Sequence, residues 1–212
     1  MVTRRTYLAT VSIGAVGALA GCALLSDTIE AEAGRGIVTE ERHTAAGFAD
    51  EERSETTFDD TREVAGEERD LRLTNKITEY RKQPSQDTPK AAGFLVFSSP
   101  TVSIADRSFN PFDEFDEKRL IRRVLSESRQ AEPDDLEEAG SETVSVLEES
   151  VELTEYVSTQ TVEGQEIDVR IHIGDLTHDD DVIVLVGSYP QIAAELENIQ
   201  SMAEGVDHPV DD

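Results

Sequence analysis

Two apolar runs constrain the fold more than anything else in this 212-residue chain. "FLVF" (Phe94–Phe97) and "VIVLV" (Val182–Val186) carry no polar side chain. A strand with one wet face alternates apolar and polar residues, so an unbroken apolar run of this length fits a strand covered on both faces. Ile167, Val169, Ile171 and Ile173 follow the other pattern and alternate without a fault. That spacing predicts one buried face and one wet face, the wet one carrying Glu166, Asp168, Arg170 and His172. A sheet with central strands buried on both faces needs a layer on each side, and helices are the expected cover.

The rest of the chain supplies candidates for that sheet and that cover. Val38–Ala46 predicts a short helix ending at Gly47. Thr56–Val64 and Glu67–Tyr80 flank Ala65-Gly66, a hairpin signal. In the second of these, Leu71, Leu73 and Ile77 keep a period of two, broken where Asn75 falls on the same face. "PSQDTP" (84–89) reads as a loop. Asp116 reads as a helix cap before "EKRLIRRVLSES", in which Leu120, Ile121, Val124 and Leu125 form one apolar stripe. "AEPDDLEEAG" (131–140) reads as an acidic connection, and strands resume over Glu142–Leu147 and Val151–Val162. "THDDD" (177–181) is a turn. A last helix is marked by Pro190 at its start, by Ile192, Leu196, Ile199 and Ala203 on one face, and by Gly205 after its end. Strands joined by such short turns pair antiparallel. The expected class is α+β: a mainly antiparallel sheet covered by helices, in a single acidic domain over 34–208, with 209–212 as a tail.

Charge narrows the function. The chain has 46 Asp plus Glu against 19 Lys plus Arg, a net charge of −27. Self-repulsion at this charge opposes compaction in dilute buffer; at molar salt the Debye length falls to about 3 Å and the repulsion is screened. Leu, Ile, Val and Phe make up 47 of the 191 residues from position 22 onward. That share exceeds the roughly 20% below which acid-rich chains stay disordered. Nucleic acid is excluded as an expected partner, because phosphate binding needs a basic surface.

The N-terminus carries an address. Arg4 and Arg5 precede a mostly apolar, small-residue run from Tyr7 to Gly21, and Cys22, the only cysteine, follows it. This is the build of an export signal; a permanent transmembrane helix, the alternative, needs about 20 apolar residues. Thr3-Arg4-Arg5-Thr6-Tyr7-Leu8 resembles the twin-arginine export motif, with Thr for the usual Ser, Tyr for the usual Phe, and Ala9 where Lys often stands. Leu19-Ala20-Gly21-Cys22 resembles a lipobox. The resemblance implies export of a folded domain, cleavage before Cys22, and a lipid on its sulfur, with residues 22–33 as the tether. Cleavage removes two of the 19 basic residues and none of the 46 acids, so the mature charge is −29. A single acyl chain anchors a protein only marginally, and a net charge of this sign argues against a polybasic second signal, so the lipid is expected to be double-chained. In archaeal relatives exported this way, the resemblance implies a diether lipid.

Excess acid, only four lysines and no tryptophan resemble the proteome of a salt-loving archaeon. The phrase "FSSPTVSIADRSFNPF" (97–112), the helix after it, and "VIVLVGSYP" (182–190) resemble a family of uncharacterised haloarchaeal lipoproteins, a likeness that covers most of the mature chain. The order of helix, long antiparallel strands, strand ending in "YP" and helix is also similar in architecture to the photosystem-subunit and nuclear-import-factor sandwich (the PsbP/Mog1 type). Fold alone supplies no function.

Candidate chemistry is sparse. His172, Asp175 and His178 are the nearest approach to metal-ligand spacing, yet on a strand the two histidines lie about 20 Å apart. Asp179, Asp180 and Asp181 are weak candidates for a hard cation, in a chain where acidic turns are common. In "FNPF" (109–112), Asn110-Pro111 suits a turn that two phenylalanines pin to the core; the alternative is an exposed aromatic loop that meets a ligand. Ser98 and Ser99 have no evident histidine partner, and no nucleophile elbow, zinc-protease helix or phosphate loop occurs. No catalytic residue and no cofactor is therefore expected. The expected function is a non-catalytic lipoprotein at the outer face of the cell membrane, an interaction or assembly module with a protein partner. The alternative is a lipoprotein that binds a small solute for a membrane partner.

Overall fold

The two apolar runs become neighbours at the centre of one sheet. The structure is a computed structural model that describes residues 28–64, 67–83, 92–104, 107–112, 115–127, 133, 135–162 and 165–210. Strand β5 (Ala92–Pro100) pairs antiparallel with β11 (Asp181–Pro190), with Val96 opposite Leu185 and Leu95 opposite Val186. On the β5 side follow β4 (Glu67–Lys82) and β3 (Asp50–Val64); on the β11 side follow β10 (Gln165–His178), β9 (Glu149–Val162) and β8 (Glu137–Val146). All these neighbours are antiparallel. The eighth strand, β1 (Thr28–Glu32), runs parallel to Asp70–Thr74 of β4, on the edge that β5 leaves open by pairing only with Lys76–Lys82. β1 lies within the stretch read as tether.

Period-two alternation divides the centre between two cores. Leu95, Phe97, Val184 and Val186 face helix α2 (Glu117–Glu127), whose Leu120, Ile121, Val124 and Leu125 are all buried. Asp116 caps this helix as its position predicts: its Oδ1 accepts the Arg119 N–H at 2.8 Å. Phe94, Val96, Ile183 and Leu185 face the other side. There the cover is α1 (Glu40–Ala45), α3 (Leu196–Glu204) and a two-stranded ribbon of β2 (Arg35–Val38) with β12 (Val206–Val210). A small hairpin, β6 (Val102–Ile104) with β7 (Arg107–Phe109), completes the strands. Close approach at β11 requires a glycine: a Cβ at Gly187 would lie 2.5 Å from a side-chain carbon of Ile199 on α3.

These layers correct the expected class. The protein is mainly β, built on a large mixed sheet, and it is neither a helix-covered α+β sandwich nor of the PsbP/Mog1 type. The helices span 6, 11 and 9 residues while β3 and β4 span 15 and 16, so the helices cover only the middle of the sheet. Acidic segments outside the predicted strands extend the sheet: Asp50–Glu55 opens β3, and Glu137–Ser141, most of it within the predicted acidic connection, opens β8. The last helix is shorter than predicted. Pro190 ends β11, a 3-10 turn spans Gln191–Ala193, and Ala194 sits in the left-handed region at φ 43°, so α3 begins only at Leu196 and Ile192 is left exposed.

Candidate functional site

Helix α2 turns its apolar stripe to the sheet, which leaves Lys118, Arg119, Arg122 and Arg123 on its outer side. The segment before it is fixed by the "FNPF" phrase. Asn110 is buried; its Nδ2 donates to the carbonyls of Ser99 and Pro100 at 3.1 Å each, and its Oδ1 accepts the Phe112 N–H at 2.8 Å. Phe112 then meets Phe97 edge-on at 4.9 Å, and Phe115 meets Phe112 at 5.6 Å. The turn is therefore structural, as the first reading of the phrase had it. It also forms a wall: Pro111, Phe112 and Phe115 line a groove of about 400 Å3 with Phe58 of β3 and with Arg119, Arg122 and Arg123. A second, wider groove of about 810 Å3 shares Phe115, Arg119 and Arg122 and extends toward Lys118 and Tyr156.

Electrostatics distinguishes this place from the rest of the surface. Arg42, Arg53, Arg62, Arg72, Arg81 and Arg170 each hold a carboxylate, as expected in a chain with so many acids. Around α2 the pairing is incomplete. Arg123 is held by Glu127, and Lys118 donates to the Leu136 carbonyl at 2.8 Å. Glu117 turns inward and accepts the hydroxyls of Tyr156 at 2.5 Å and Thr154 at 2.9 Å. Burial first, and the Glu117 carboxylate second, raise the pKa of the Tyr156 phenol well above its ordinary value and keep it a donor. Among the described residues, the guanidinium groups of Arg119 and Arg122 have no carboxylate partner. Arg119 instead stacks over Phe115, with its guanidinium carbon 3.9 Å from the ring centroid. An arginine fork beside aromatic faces is suited to a carboxylate or another planar anion carried on an apolar body.

The candidates drawn from the sequence lie elsewhere. Asp179 and Asp180 form a two-residue hairpin turn at φ 49° and 67°. Asp181 points inward: its Oδ2 accepts the Gly34 N–H at 2.6 Å and lies 3.1 Å from His208 Nε2. His208 Nδ1 in turn lies 3.1 Å from His178 Nδ1. The ring centroids are 5.4 Å apart, so the two nitrogens point at one another, the geometry of an N–H···N bond rather than of two ligands converging on an ion. No group of three metal-ligating side chains occurs among the described residues. The cluster latches β2 and β12 onto the β10–β11 turn.

His172 corrects a second expectation. It is 1% exposed rather than on a wet face, because α3 and Tyr189 cover that side of β10. Its Nε2 lies 3.1 Å from the Tyr189 hydroxyl, the rings stack at 5.5 Å, and Nδ1 has no partner. Burial, assisted by Arg170, lowers its pKa to about 4. Asp175 is exposed on the opposite face, so His172, Asp175 and His178 do not converge. Ser98 and Ser99 are buried, the latter against Asn110. Arg4, Arg5, Leu19, Ala20, Gly21 and Cys22 lie outside the described residues, as does the 84–89 loop.

Sequence reasoning missed the α2 groove. The signal was present in "KRLIRR": bases at 118, 119, 122 and 123 recur at helical spacing on the side away from the apolar stripe. No curated protein matches the chain. One family model, described as "Domain of unknown function (DUF6517)", matches residues 35–207, which takes in the sheet from β3 to β11, helices α1, α2 and α3, and the groove residues named above. The chain therefore belongs to the DUF6517 family.

Proposed function

We propose that this is an exported, lipid-anchored protein of the outer face of the cell membrane, whose domain serves as a non-catalytic interaction module with the α2 groove as its docking face. One observation carries the docking part: among the described residues, Arg119 and Arg122 have no carboxylate partner and stand beside an aromatic wall in a chain of net charge −27. Both arginines reach water, so their forks are accessible to a partner's carboxylates, and the aromatic wall offers apolar contact beside them. The anchor part is supported by the twin arginines and by Leu19-Ala20-Gly21-Cys22. A salt-loving archaeal source is supported by the acid excess. Cross-linking in intact cells tests both parts. Cys22→Ser is expected to leave the membrane fraction, and its persistence there at the wild-type level overturns the anchor. Arg119→Ser/Arg122→Ser is expected to remain in the membrane and lose its cross-linked partner; retention of that partner overturns the docking face.

A second reading, a lipoprotein that binds a small solute for a membrane partner, is favoured by the groove volumes, which fall in the range of ligand sites, about 300–1,000 Å3. It predicts that a small anionic solute raises the melting temperature of the wild type and not of the double variant.

A further inference from the structure

We infer that the α2 groove takes an extended acidic peptide segment of a protein partner, with its carboxylates on Arg119 and Arg122 and an aromatic or aliphatic side chain on Phe58 and Phe115. This deepens the docking-face reading and rests on it. The two grooves meet along Phe115, Arg119 and Arg122, so the concave surface continues past the size of one small molecule. The 11 residues of α2 give it a length of about 16 Å, which about five residues of extended chain would span. Charge selects the occupant. Arg119 and Arg122, without carboxylate partners among the described residues, have planar forks that bind carboxylates bidentately, and Arg119 is already held on an aromatic face.

The same observations disfavour the other surfaces that seek a basic patch. Lys118 is hydrogen-bonded to the Leu136 carbonyl and Arg123 is paired with Glu127, which among the described residues leaves two guanidinium groups of α2 without a hydrogen-bonding partner. Adhesion to anionic lipid takes clusters of about four to eight. Nucleic acid would meet the repulsion of the whole acidic chain. A peptide needs only the local match of two forks and an apolar contact, which is how arginine clusters read acidic motifs.

The test is selection of short random peptides by display on the purified chain, in the salt that keeps it folded. The expected result is enrichment of Asp and Glu together with an aromatic or aliphatic residue. The best synthetic peptide should then bind saturably and lose affinity about tenfold or more for Arg119→Ser/Arg122→Ser, the effect of removing charge-assisted hydrogen bonds. It should lose a similar factor when its own acids become amides, and keep its affinity for Arg42→Ser, an exposed arginine on the opposite side of the sheet. Circular dichroism confirms that each variant is folded. Enrichment of neutral or basic peptides, or equal affinity for the double variant, overturns the inference. So does the absence of any selected peptide, whether or not phosphatidylglycerol vesicles bind. Self-association abolished by the double variant overturns it in favour of a second copy. If the double variant loses its cross-linked partner in cells while the selected peptides are not acidic, the docking face stands and the acidic partner falls.

Discussion

At the scale of single residues, burial rather than sequence position decides behaviour, and His172 gives the sharpest case. Its neighbours Ile171 and Ile173 face one core, so simple alternation puts the histidine in water. The sheet interior puts it instead under α3, stacked on Tyr189 with one ring nitrogen unpaired. In the unfolded chain the imidazole takes up a proton near pH 6.5; in the fold it resists until about pH 4. The unfolded state therefore binds more protons throughout that window, and the contribution of His172, complete above about pH 6.5, is lost as the pH falls toward 4. The loss is up to about 3 kcal/mol. Denaturant unfolding of the wild type and of His172→Phe at constant salt isolates it: the stability of the wild type relative to the variant should fall by that order between pH 7 and pH 4. Parallel profiles would mean that the histidine is not held neutral. Nothing in the local sequence announces this residue, nor the buried Lys76, whose ammonium meets Glu32 at 2.5 Å and Glu55 at 2.6 Å. Both depend on what packs from distant strands. Asn110, by contrast, is legible in part: its turn bond to the Phe112 N–H is local, as an Asn-Pro turn implies, whereas its bonds to Ser99 and Pro100 reach back eleven and ten residues and leave no local signal.

At the scale of elements, legibility follows the apolar pattern. "FLVF", "VIVLV", the stripe of α2 and the hairpins of the second half are where their side chains say they are, since each buries a face that reports its own period. The misread elements lie at the margins. β3 and β8 end the sheet on either side, and their acidic ends expose nearly every residue, so no burial pattern marks them as strands. The mount of α3 on β11 shows how tightly a legible element is placed. Gly187→Ala pushes a methyl group into Ile199 and should cost about 1–3 kcal/mol, the usual penalty of overpacking. Ile199→Ala alone empties the same site and should cost about 2–5 kcal/mol. Combined, the two changes should cost less than the sum of the separate costs, because the new methyl occupies part of the space released. Unfolding midpoints for the four chains complete a double-mutant cycle; simple additivity would show that the contact does not set the helix position.

For the whole molecule the governing quantity is charge, and its distribution matters more than its sum. Net charge removes nucleic acid from the expected partners, yet it conceals the outward-facing cations of α2, because a sum over the chain carries no information about which side of a helix a base occupies. The acids do structural work at the sheet margins. Glu137, Glu138 and Glu142 line an edge strand whose first seven residues are exposed, and charged edges prevent strands of separate molecules from pairing. Their mutual repulsion opposes folding in dilute buffer and fades as salt shortens the Debye length from about 10 Å at 0.1 M to about 3 Å at 1 M. Two opposed effects should follow from Glu137→Gln/Glu138→Gln/Glu142→Gln. Stability at low salt should rise, and the gain over the wild type should shrink toward zero at molar salt. At the same time the amide-bearing edge, still rich in backbone donors and acceptors, should associate: light scattering should detect higher-order species in the variant at concentrations where the wild type is monodisperse. A stability gain that persists unchanged at molar salt would assign the effect to strand propensity instead of charge. A monodisperse variant would show that these three carboxylates do not guard the edge, leaving screening of the folded state as the sole consequence of their charge.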